Sequence, residues 1–469
     1  MKTLYKFCLI LLFPICVNGQ VNTFQLSVNR PSFISLSDSI LGCGSDTAQQ
    51  LNLKSRLFSV ASINKSDYVS TNLLGASLAY NFKNKIIFTS YFDYLSGNHN
   101  SLLNKYKDSL FVFSGFGREK TRLQYNMKYS LNKFIIFDFG KGKNFIGNGY
   151  RSLLLSNEHS PYPYLKLTTQ FGRVRYYNLY TTFLDIQNPN QDRKKHSSIH
   201  FLEFRLLENI NIGIFEGVIW QAKDENYYRG YDVEYLNPII FYRPVEFSKH
   251  SPDNVLMGVN FNGSFKKTTL YGQFLLDDLN ISRQKDRDED YGTGFFQNKF
   301  AYQLGLKSSF KAIDVLLEYN QVQPYTYAHK EPLQSYTHLN QALAHPLGAN
   351  FKELVALVNY NSEKWNLSVK LTCAKVGLDS LDTHYGQNIF ASDFDAQRAG
   401  DEYSYGNFIG QGIQNQINTL YTEISYSFRW IDIFSSVFYK NKKSDLQNQT
   451  SLWYSVGIRT FPFSTFQDY

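Results

Sequence analysis

Aromatic, amide and guanidinium side chains are concentrated in four long connections between periodic segments of the sequence. These connections follow residues 140, 220 and 321 and precede residue 416. Sugars are bound by aromatic faces together with planar amide and guanidinium groups, so these connections suit a carbohydrate better than an ion or a lipid. The candidate ligand-binding residues are Tyr150, Arg151, Tyr162, Tyr164, Arg243, Tyr325, Tyr327, Asn340 and Gln341. The alternative is that such tyrosines and turns are ordinary features of the scaffold.

Three histidines in these connections, His329, His338 and His345, invite comparison with a metal site. Their spacings match no ordinary ligand pattern, and no acidic cluster accompanies them. We therefore expect solvated or hydrogen-bonded histidines, with neither a metal nor a cofactor.

A nucleophilic site would need a serine, a histidine and an orienting polar residue within reach of one another. Ser152 with His345 and Asn340 is such a set, and it would make the protein a hydrolase. Sequence alone cannot bring these residues together. The sequence therefore favours a protein without catalytic residues.

Residues 283–290 form a highly charged run, Arg-Gln-Lys-Asp-Arg-Asp-Glu-Asp. One interpretation is a divalent-ion bridge to lipopolysaccharide. The composition favours a solvated, mobile outer loop.

The segments that must position these connections alternate apolar and polar residues. In residues 122–129, for example, Leu123 and Tyr125 alternate with Arg122 and Gln124. Side chains of a strand alternate between its two faces, whereas a helix has a period of 3.6. The alternation predicts about 18 strands. They span residues 21–29, 69–81, 85–95, 121–131, 133–140, 163–171, 173–185, 197–206, 210–220, 256–264, 268–277, 298–309, 312–321, 351–361, 365–375, 416–428, 432–441 and 451–461.

Tight turns alternate with longer connections along this series of strands. The turns lie at residues 81–85, 131–133, 208–210, 265–267, 310–312, 361–364 and 429–431. Bacterial outer-membrane barrels have short periplasmic turns and long outer loops. The rival is a soluble all-β sandwich or propeller, but we find no repeat of the length that a propeller needs.

Composition and the leader agree with a barrel. Lys2, Lys6 and the apolar stretch 7–17 predict a secretory signal peptide over residues 1–19, and Ile15 before Cys16 speaks against a lipoprotein. Its removal leaves 46 of the 48 basic residues against 40 acidic ones, which gives no case for nucleic acid. Mean hydropathy is −0.34 but aromatics reach 17%, a combination that a barrel with alternating faces produces.

The alternation also assigns interior and exterior side chains. Cys373 falls on an apolar face, and we expect no disulfide between it and Cys43. The residues expected to line the lumen are Lys299, Gln303, Lys307, Glu318 and Asn320. Opposite charges there can pair and close the interior. We therefore expect a plugged barrel, not a porin.

Four segments resemble a known family. They are Gly147-Asn-Gly-Tyr-Arg-Ser-Leu-Leu-Leu-Ser156, Asn237-Pro-Ile-Ile-Phe-Tyr-Arg243, Glu318-Tyr-Asn-Gln-Val322 and Ala344-His-Pro-Leu-Gly-Ala-Asn-Phe351. From about Phe137 to Gly412 the sequence resembles the capsule-assembly Wzi family as it occurs in Bacteroidetes, which includes gliding-motility proteins of the RemB type. The resemblance implies an outer-membrane barrel of about 18 strands that holds or organises surface polysaccharide, with no catalytic residues to carry over.

The sequence thus predicts an all-β transmembrane barrel of the outer membrane of a Gram-negative bacterium, with residues 20–469 as one domain. The expected function is non-enzymatic: binding or organising capsular polysaccharide, or supporting cell-surface and gliding machinery. The expected partners are outer-membrane lipid, lipopolysaccharide, surface polysaccharide and other cell-envelope proteins. The alternatives are a diffusion channel for a small polar solute and a barrel hydrolase.

Overall fold

The chain forms one large antiparallel sheet in a computed structural model. The structure describes residues 49–65, 68–97, 121–188, 191–223, 228–238, 253–279, 295–380, 383–395 and 405–460. The long strands are β1 Gln49–Ile63, β2 Tyr68–Phe82, β3 Ile86–Ser96, β4 Thr121–Ser130, β5 Ile135–Gly142, β6 Tyr162–Phe171, β7 Val174–Asp185, β8 Arg193–Leu207, β9 Ile210–Gln221, β10 Asn254–Phe265, β11 Thr268–Asp278, β12 Lys299–Phe310, β13 Ile313–Val322, β16 Phe351–Asn361, β17 Trp365–Leu378, β18 Ile413–Phe428, β19 Ile431–Ser444 and β20 Gln449–Arg459. Two short strands, β14 Thr337–His338 and β15 Gln341–Ala342, pair with each other.

The sheet closes on itself. Each long strand pairs with the next along the chain, and β1 pairs with β20 through residues 58–63 and 454–459, which completes a barrel of 18 strands. Closure pairs the backbone groups that would otherwise be exposed at a sheet edge, as a strand in hydrocarbon requires. The predicted fold class is confirmed.

The alternation of residues sorts polar side chains inward and apolar side chains outward. On β4, Arg122 and Gln124 are 9% and 7% exposed, whereas their neighbours Leu123 and Tyr125 are 47% and 41% exposed. The free thiol of Cys373 is half-buried on β17, on the face that carries the exposed Leu371. An apolar outer face with a polar interior is the arrangement of a barrel in a bilayer.

The two ends of the barrel differ. Tight turns join the strands at one end, at residues 83–85, 131–134, 172–173, 208–209, 266–267, 311–312, 362–364 and 429–430. Exposed aromatic side chains border these turns, among them Phe171 at 71%, Phe310 at 58% and Trp430 at 59%. Such a girdle marks a membrane interface, and short turns mark the periplasmic side. The protein is therefore an outer-membrane β-barrel whose long connections face outward.

Every predicted strand from residues 69–81 onward is confirmed, with bounds shifted by a few residues. The predicted strand 21–29 lies outside the described residues, as do the predicted signal peptide and Cys43. Strand β1, the first strand of the described barrel, was not predicted from the sequence.

Among the described residues, no helix has the length and apolar character needed to cross a membrane.

Candidate functional site: a plugged lumen beneath an outer aromatic cluster

The connection between β5 and β6, residues 143–161, folds into the lumen, and we call it the first plug loop. The N–H of Ile146 donates to the carbonyl of Leu155 at 2.9 Å, which closes the loop at its neck. The hydroxyl of Ser152 accepts the N–H groups of Leu154 and Leu155 at 3.1 and 3.2 Å. Ser152 thereby shapes a turn, as serine side chains commonly do. Nearly all of this loop is buried.

The tip of the first plug loop is fixed to the barrel wall through Glu318 of β13. One carboxylate oxygen accepts the N–H of Tyr150 at 2.7 Å, and the other accepts the N–H of Arg151 at 3.0 Å. The hydroxyl of Tyr271 donates to the first of these oxygens at 2.8 Å. A Cβ on Gly149 would lie 2.1 Å from the same oxygen. A glycine at this position lets the backbone approach the wall closely.

Arg151 occupies the centre of a buried ionic network. Its guanidinium binds both carboxylate oxygens of Glu158 at 2.7 and 2.8 Å, and one oxygen of Glu353 at 3.1 Å. Nε2 of His345 lies 2.6 Å from the other oxygen of Glu353. Since Arg151 and Glu353 are both fully buried, this network joins the plug loop to β16 away from water.

The connection between β13 and β16, residues 323–350, also folds inward, and we call it the second plug loop. Its Tyr327 and Tyr336 hydroxyls donate to the carbonyls of Leu153 and Leu154 at 2.8 and 2.7 Å. Both rings are fully buried in the main apolar cluster of the barrel. The two loops therefore pack on each other and share one core.

Wall lysines hold the second plug loop. Lys195 of β8 donates to the Ser335 carbonyl and the Thr337 hydroxyl, both at 2.7 Å. Lys299 of β12 donates to the Ala328 carbonyl at 3.1 Å and pairs with Asp393 at 2.8 Å. These buried cations are satisfied by loop oxygens, which couples the position of the loop to the wall.

Two groups of the first plug loop are electrostatically strained by this burial. Burial, with the nearby Lys143 ammonium, lowers the pKa of His159 from 6.5 to about 4. Burial and the charge of Arg122 lower the pKa of Lys143 from 10.5 to about 7. Both groups resist carrying charge, because their own surroundings in the plug exclude water.

Above the plug, five rings from three outer connections form what we call the outer aromatic cluster: Phe295, Phe296, Tyr325, Phe394 and Tyr405. The ring of Phe296 is 5.6 Å from Phe394 and 6.2 Å from Tyr325, edge to face in both cases, and Phe295 is 5.1 Å from Tyr405. Phe394 is 53% exposed, and the Lys330 ammonium lies 5.4 Å from its ring centre. An exposed ring with a cation beside it can receive a ligand that offers both an apolar face and polar groups.

Most of the residues predicted to bind a ligand lie inside the barrel. Arg151, Tyr162, Tyr325 and Tyr327 are at most 1% exposed, and Tyr164, at 8%, donates to Asp138 at 2.9 Å. The partners observed for Arg151, Tyr164 and Tyr327 are plug and wall groups, and Tyr325 donates to the His384 carbonyl in the connection before β18. Direct contact of these residues with a ligand stays a prediction, and Arg243 lies outside the described residues.

Three predicted residues are less buried. Tyr150 is half-buried and accepts a hydrogen bond from Lys370 at 3.2 Å. Asn340 and Gln341 are half-buried at the short hairpin, where the Gln341 amide oxygen accepts the Ser160 N–H at 2.6 Å. The hairpin thus links the two plug loops near the outer end.

The predicted lumen residues are buried and bind plug or wall groups. Gln303 donates to the Arg151 carbonyl at 3.1 Å, and Lys307 donates to the Asn148 carbonyl at 3.2 Å. Asn320 donates to Glu318 and to Glu353, both at 3.0 Å. The sequence suggested that pairing of opposite charges closes the lumen. In the structure, two loops also occupy the lumen, and these side chains hold them there.

The predicted hydrolase set is not assembled. The Ser152 hydroxyl donates to the Ile146 carbonyl at 2.5 Å and lies 3.3 Å from the Gln273 amide oxygen, whereas His345 binds Glu353. The hydrolase alternative was therefore wrong about Ser152, because the plug turn uses its hydroxyl.

The three loop histidines have separate hydrogen-bond partners. Nδ1 of His329 accepts the N–H of Glu331, and Nδ1 of His338 accepts the N–H of Leu184. Within the described part of the chain, no group of three metal-ligating side chains comes together. The charged run 283–290 lies outside that part.

Tyr325 is the one ring of the outer aromatic cluster that the sequence pointed to, and the other four were not predicted. The rings of the cluster come from connections that precede β12, precede β16 and precede β18, and no local pattern unites them. The one sequence signal for this cluster is the pair of adjacent aromatic residues Phe295-Phe296 in an outer connection.

Comparison with known proteins identifies solved structures of similar fold. No protein-family model and no curated protein sequence matches this chain. The structure is similar to that of Wzi, an outer membrane protein involved in group 1 capsule assembly in Escherichia coli and described as a carbohydrate-binding β-barrel. The TM-score is 0.55 at 13% identity, over 87% of this chain and 84% of that chain.

Two Pseudomonas aeruginosa barrels also match. OprD gives a TM-score of 0.45 at 10% identity, over 88% of this chain and 96% of that chain. OpdO gives 0.46 at 9% identity, with the same coverage of 88% and 96%. The likeness to Wzi shows the fold, and it supports the resemblance found in the sequence at the level of the barrel.

Proposed function

We propose that this protein is a non-enzymatic outer-membrane barrel that binds surface polysaccharide at its outer end. The observation that carries the proposal is the plugged lumen beneath an aromatic cluster whose Phe394 ring is exposed. A barrel whose interior is occupied by its own loops offers its outer surface, and not a passage, to a ligand.

The plug opposes a transport role. A solute would have to displace groups held by Glu318, Gln273 and Lys307, three buried wall side chains that each bind the first plug loop. Breaking buried polar contacts leaves unsatisfied groups at about 1–3 kcal/mol each. A resting protein with this plug should therefore conduct little.

The outer aromatic cluster supplies the chemistry for sugar binding. The exposed Phe394 ring offers an apolar face, and Lys330 beside it offers a donor to hydroxyl or carboxylate oxygens. The Tyr325 hydroxyl also donates to the His384 carbonyl at 3.0 Å, which ties the second plug loop to the connection before β18 that carries Phe394. A preorganised aromatic surface binds at a lower entropic cost than a mobile one.

The structurally similar Wzi is described as a carbohydrate-binding barrel of capsule assembly. By analogy, the polysaccharide of this protein would be capsular, with lipopolysaccharide, lipid and other envelope proteins as neighbours. The finer resemblance, to the Bacteroidetes branch and to gliding proteins of the RemB type, points to a role in the cell-surface machinery of motility. A deletion strain tested for retained surface polysaccharide and for spreading motility would separate these two roles.

The direct test is glycan binding by the purified barrel. Wild-type protein should bind surface polysaccharide isolated from the producing cell, and Phe394→Ala should weaken binding about tenfold, which is about 1.4 kcal/mol. Phe171→Ala is the matched control, since Phe171 is an exposed ring, at 71% against 53% for Phe394, at the opposite end of the barrel. Equal binding by all three proteins would remove the cluster from the site.

Single-channel recording tests the alternative. Wild-type protein in planar bilayers should show little conductance. Stable open conductance, together with absent glycan binding, would overturn the proposal in favour of a diffusion channel for a small polar solute.

A further inference from the structure

A cavity of about 250 Å³ lies in the lumen at the turn end, between the first plug loop and the periplasmic side. We call it the vestibule. Asn148 at the plug tip lines one side, and residues near the turns of β6–β7, β8–β9 and β10–β11 line the rest. A cavity needs only about 10–15 Å³ of such volume to hold one water molecule. The vestibule is therefore large enough for one small polar molecule.

The charges around the vestibule are predominantly positive. Arg173, Arg175, Arg205 and Lys307 line it together with a single carboxylate, Glu203. Glu203 lies 3.7 Å from Arg175. Within the described residues, neither Arg173 nor Arg205 has an ion pair. An excess of cations in a recess with protein walls attracts anions.

Strand register sets these side chains side by side. Arg175 on β7 is opposite Glu203 on β8, and Arg205 is opposite Asn211 on β9. The N–H of Arg205 donates to the carbonyl of Arg173 at 2.9 Å, so these two arginines come from adjacent backbone positions. The Arg173 guanidinium donates to the Leu206 carbonyl at 3.4 Å. Two guanidinium groups from adjacent strands can engage one carboxylate or phosphate.

The turn end as a whole strengthens this field. The tight turns carry Lys83, Lys85, Lys133, Arg173, Lys266, Lys267, Lys311, Lys364 and Arg429, against Glu208 and Glu363. A basic rim around a basic recess raises the local concentration of anions at its mouth. The field acts from the periplasmic side, opposite to the outer aromatic cluster.

Neutral polar groups complete the lining. Amides of Asn211 and Asn262 are joined by a hydrogen bond at 3.0 Å, and Asn262 donates to Asn148 at 3.2 Å. Hydroxyls of Ser264 and Thr269 lie beside them. No aromatic ring from the described residues lines the vestibule. Amides and hydroxyls suit the hydroxyl groups of a sugar, whereas an inorganic anion would use only the cations.

We propose that the vestibule binds one acidic sugar unit, with its carboxylate on Arg173 and Arg205 and its hydroxyls on the amides. The unit reaches the site from the periplasmic side, either as a free sugar acid or as part of an acidic glycan. This site lies at the other end of the barrel from the outer aromatic cluster. If the vestibule binds no acidic sugar, the proposed function still stands, because the Phe394 variant tests binding at the outer aromatic cluster.

Calorimetric titration of the full-length protein in detergent tests the proposal. Glucuronate should bind, neutral glucose should bind at least tenfold more weakly, and inorganic phosphate should not reproduce the affinity for glucuronate. Arg173→Gln with Arg205→Gln should weaken glucuronate binding at least tenfold. Arg429→Gln, a turn arginine that does not line the vestibule, should leave it unchanged.

Three results would overturn the proposal: no glucuronate binding, equal affinity for glucose, or equal affinity for phosphate. Equal loss in the Arg429 variant would also overturn it, because the effect would then come from the basic rim. Both substituted arginines are exposed, and heat-dependent mobility on gels would confirm that each variant remains a folded barrel. A companion assay with a glucuronate-containing oligosaccharide would show whether the unit is taken from a chain.

Discussion

Gly149 lies directly against Glu318: a Cβ at residue 149 would be 2.1 Å from Oε2 of the glutamate, the oxygen that accepts the Tyr150 N–H at 2.7 Å. The tip of the first plug loop therefore reaches the wall only because residue 149 has no side chain. This contact joins the Gly147-Asn-Gly149 segment, where the family resemblance begins, to a buried carboxylate of β13.

Gly149→Ala should loosen the plug. The added methyl group cannot fit beside Glu318, so the tip must move away and the hydrogen bonds from Tyr150 and Arg151 must lengthen or break. We expect new single-channel conductance and faster protease cleavage within residues 143–161. Gly172→Asn is the control, since Gly172 has open space around it and asparagine tolerates its left-handed φ of 57°. Unchanged conductance in Gly149→Ala would show that the tip does not seal the lumen.

Arg151→Gln should destabilise the barrel strongly. It leaves the buried carboxylates of Glu158 and Glu353 without their cation, and breaking a buried pair in this way costs about 3–5 kcal/mol. A shift of the denaturant midpoint measures the loss. Arg193→Gln provides the comparison, because Arg193 is 38% exposed, so water screens its pair with the buried Asp185 and the loss should be clearly smaller than for Arg151→Gln. Similar shifts in the two variants would contradict the buried network.

Acidification should loosen the first plug loop. The folded pKa of His159 is about 4 against 6.5 for a free histidine, so the unfolded state binds the proton first. The contribution of neutral His159 to the free energy of unfolding is complete above pH 6.5 and is lost as the pH falls towards 4. It amounts in total to a value on the order of 3 kcal/mol. Burial also lowers the pKa of His338, which acts in the same direction. Hydrogen exchange of residues 143–161 between pH 7 and pH 4 would detect the change.

The double variant His159→Gln with His338→Gln should flatten this pH dependence. Titration of Lys143 does not affect this test. Its contribution to stability changes between pH 10.5 and about 7, above the pH range of the experiment. An equally steep loss in the double variant would assign the effect to other groups.

Leu371→Arg should hinder membrane assembly. Leu371 is 40% exposed on the outer face and lies six residues along β17 from Trp365, which is about 15 Å along the barrel axis for a tilted strand. An arginine near the bilayer midplane costs about 2–4 kcal/mol. Leu446→Arg, in the outer turn between β19 and β20 and 76% exposed, should change the unfolding midpoint little. A folding yield in lipid vesicles that is equal for both variants would contradict the placement of the bilayer.

The strands could be predicted from sequence because the alternation of residues within each strand identifies it and its two faces. Arg122 and Leu123 face opposite sides whatever the rest of the chain does, since neighbouring strand residues always do. Strand β1 escaped because its pattern is mixed. Phe58 packs inside the barrel on Phe434, with ring centres 5.8 Å apart, while Ser55 and Ser59 occupy the outer face.

The sequence by itself thus determined the barrel, the strands from β2 onward and the polarity of its two faces, because these follow from a period of two in local segments. Only the tertiary structure decided where the long connections go. An arginine and several tyrosines in a loop suit a ligand site and a plug equally well. Arg151 and Tyr327 lie inside the barrel because their partners, Glu353 and Leu153, are far away in the chain and become neighbours only when the barrel closes. Hydrogen bonds between such distant residues depend on the closed fold, and no local pattern encodes them.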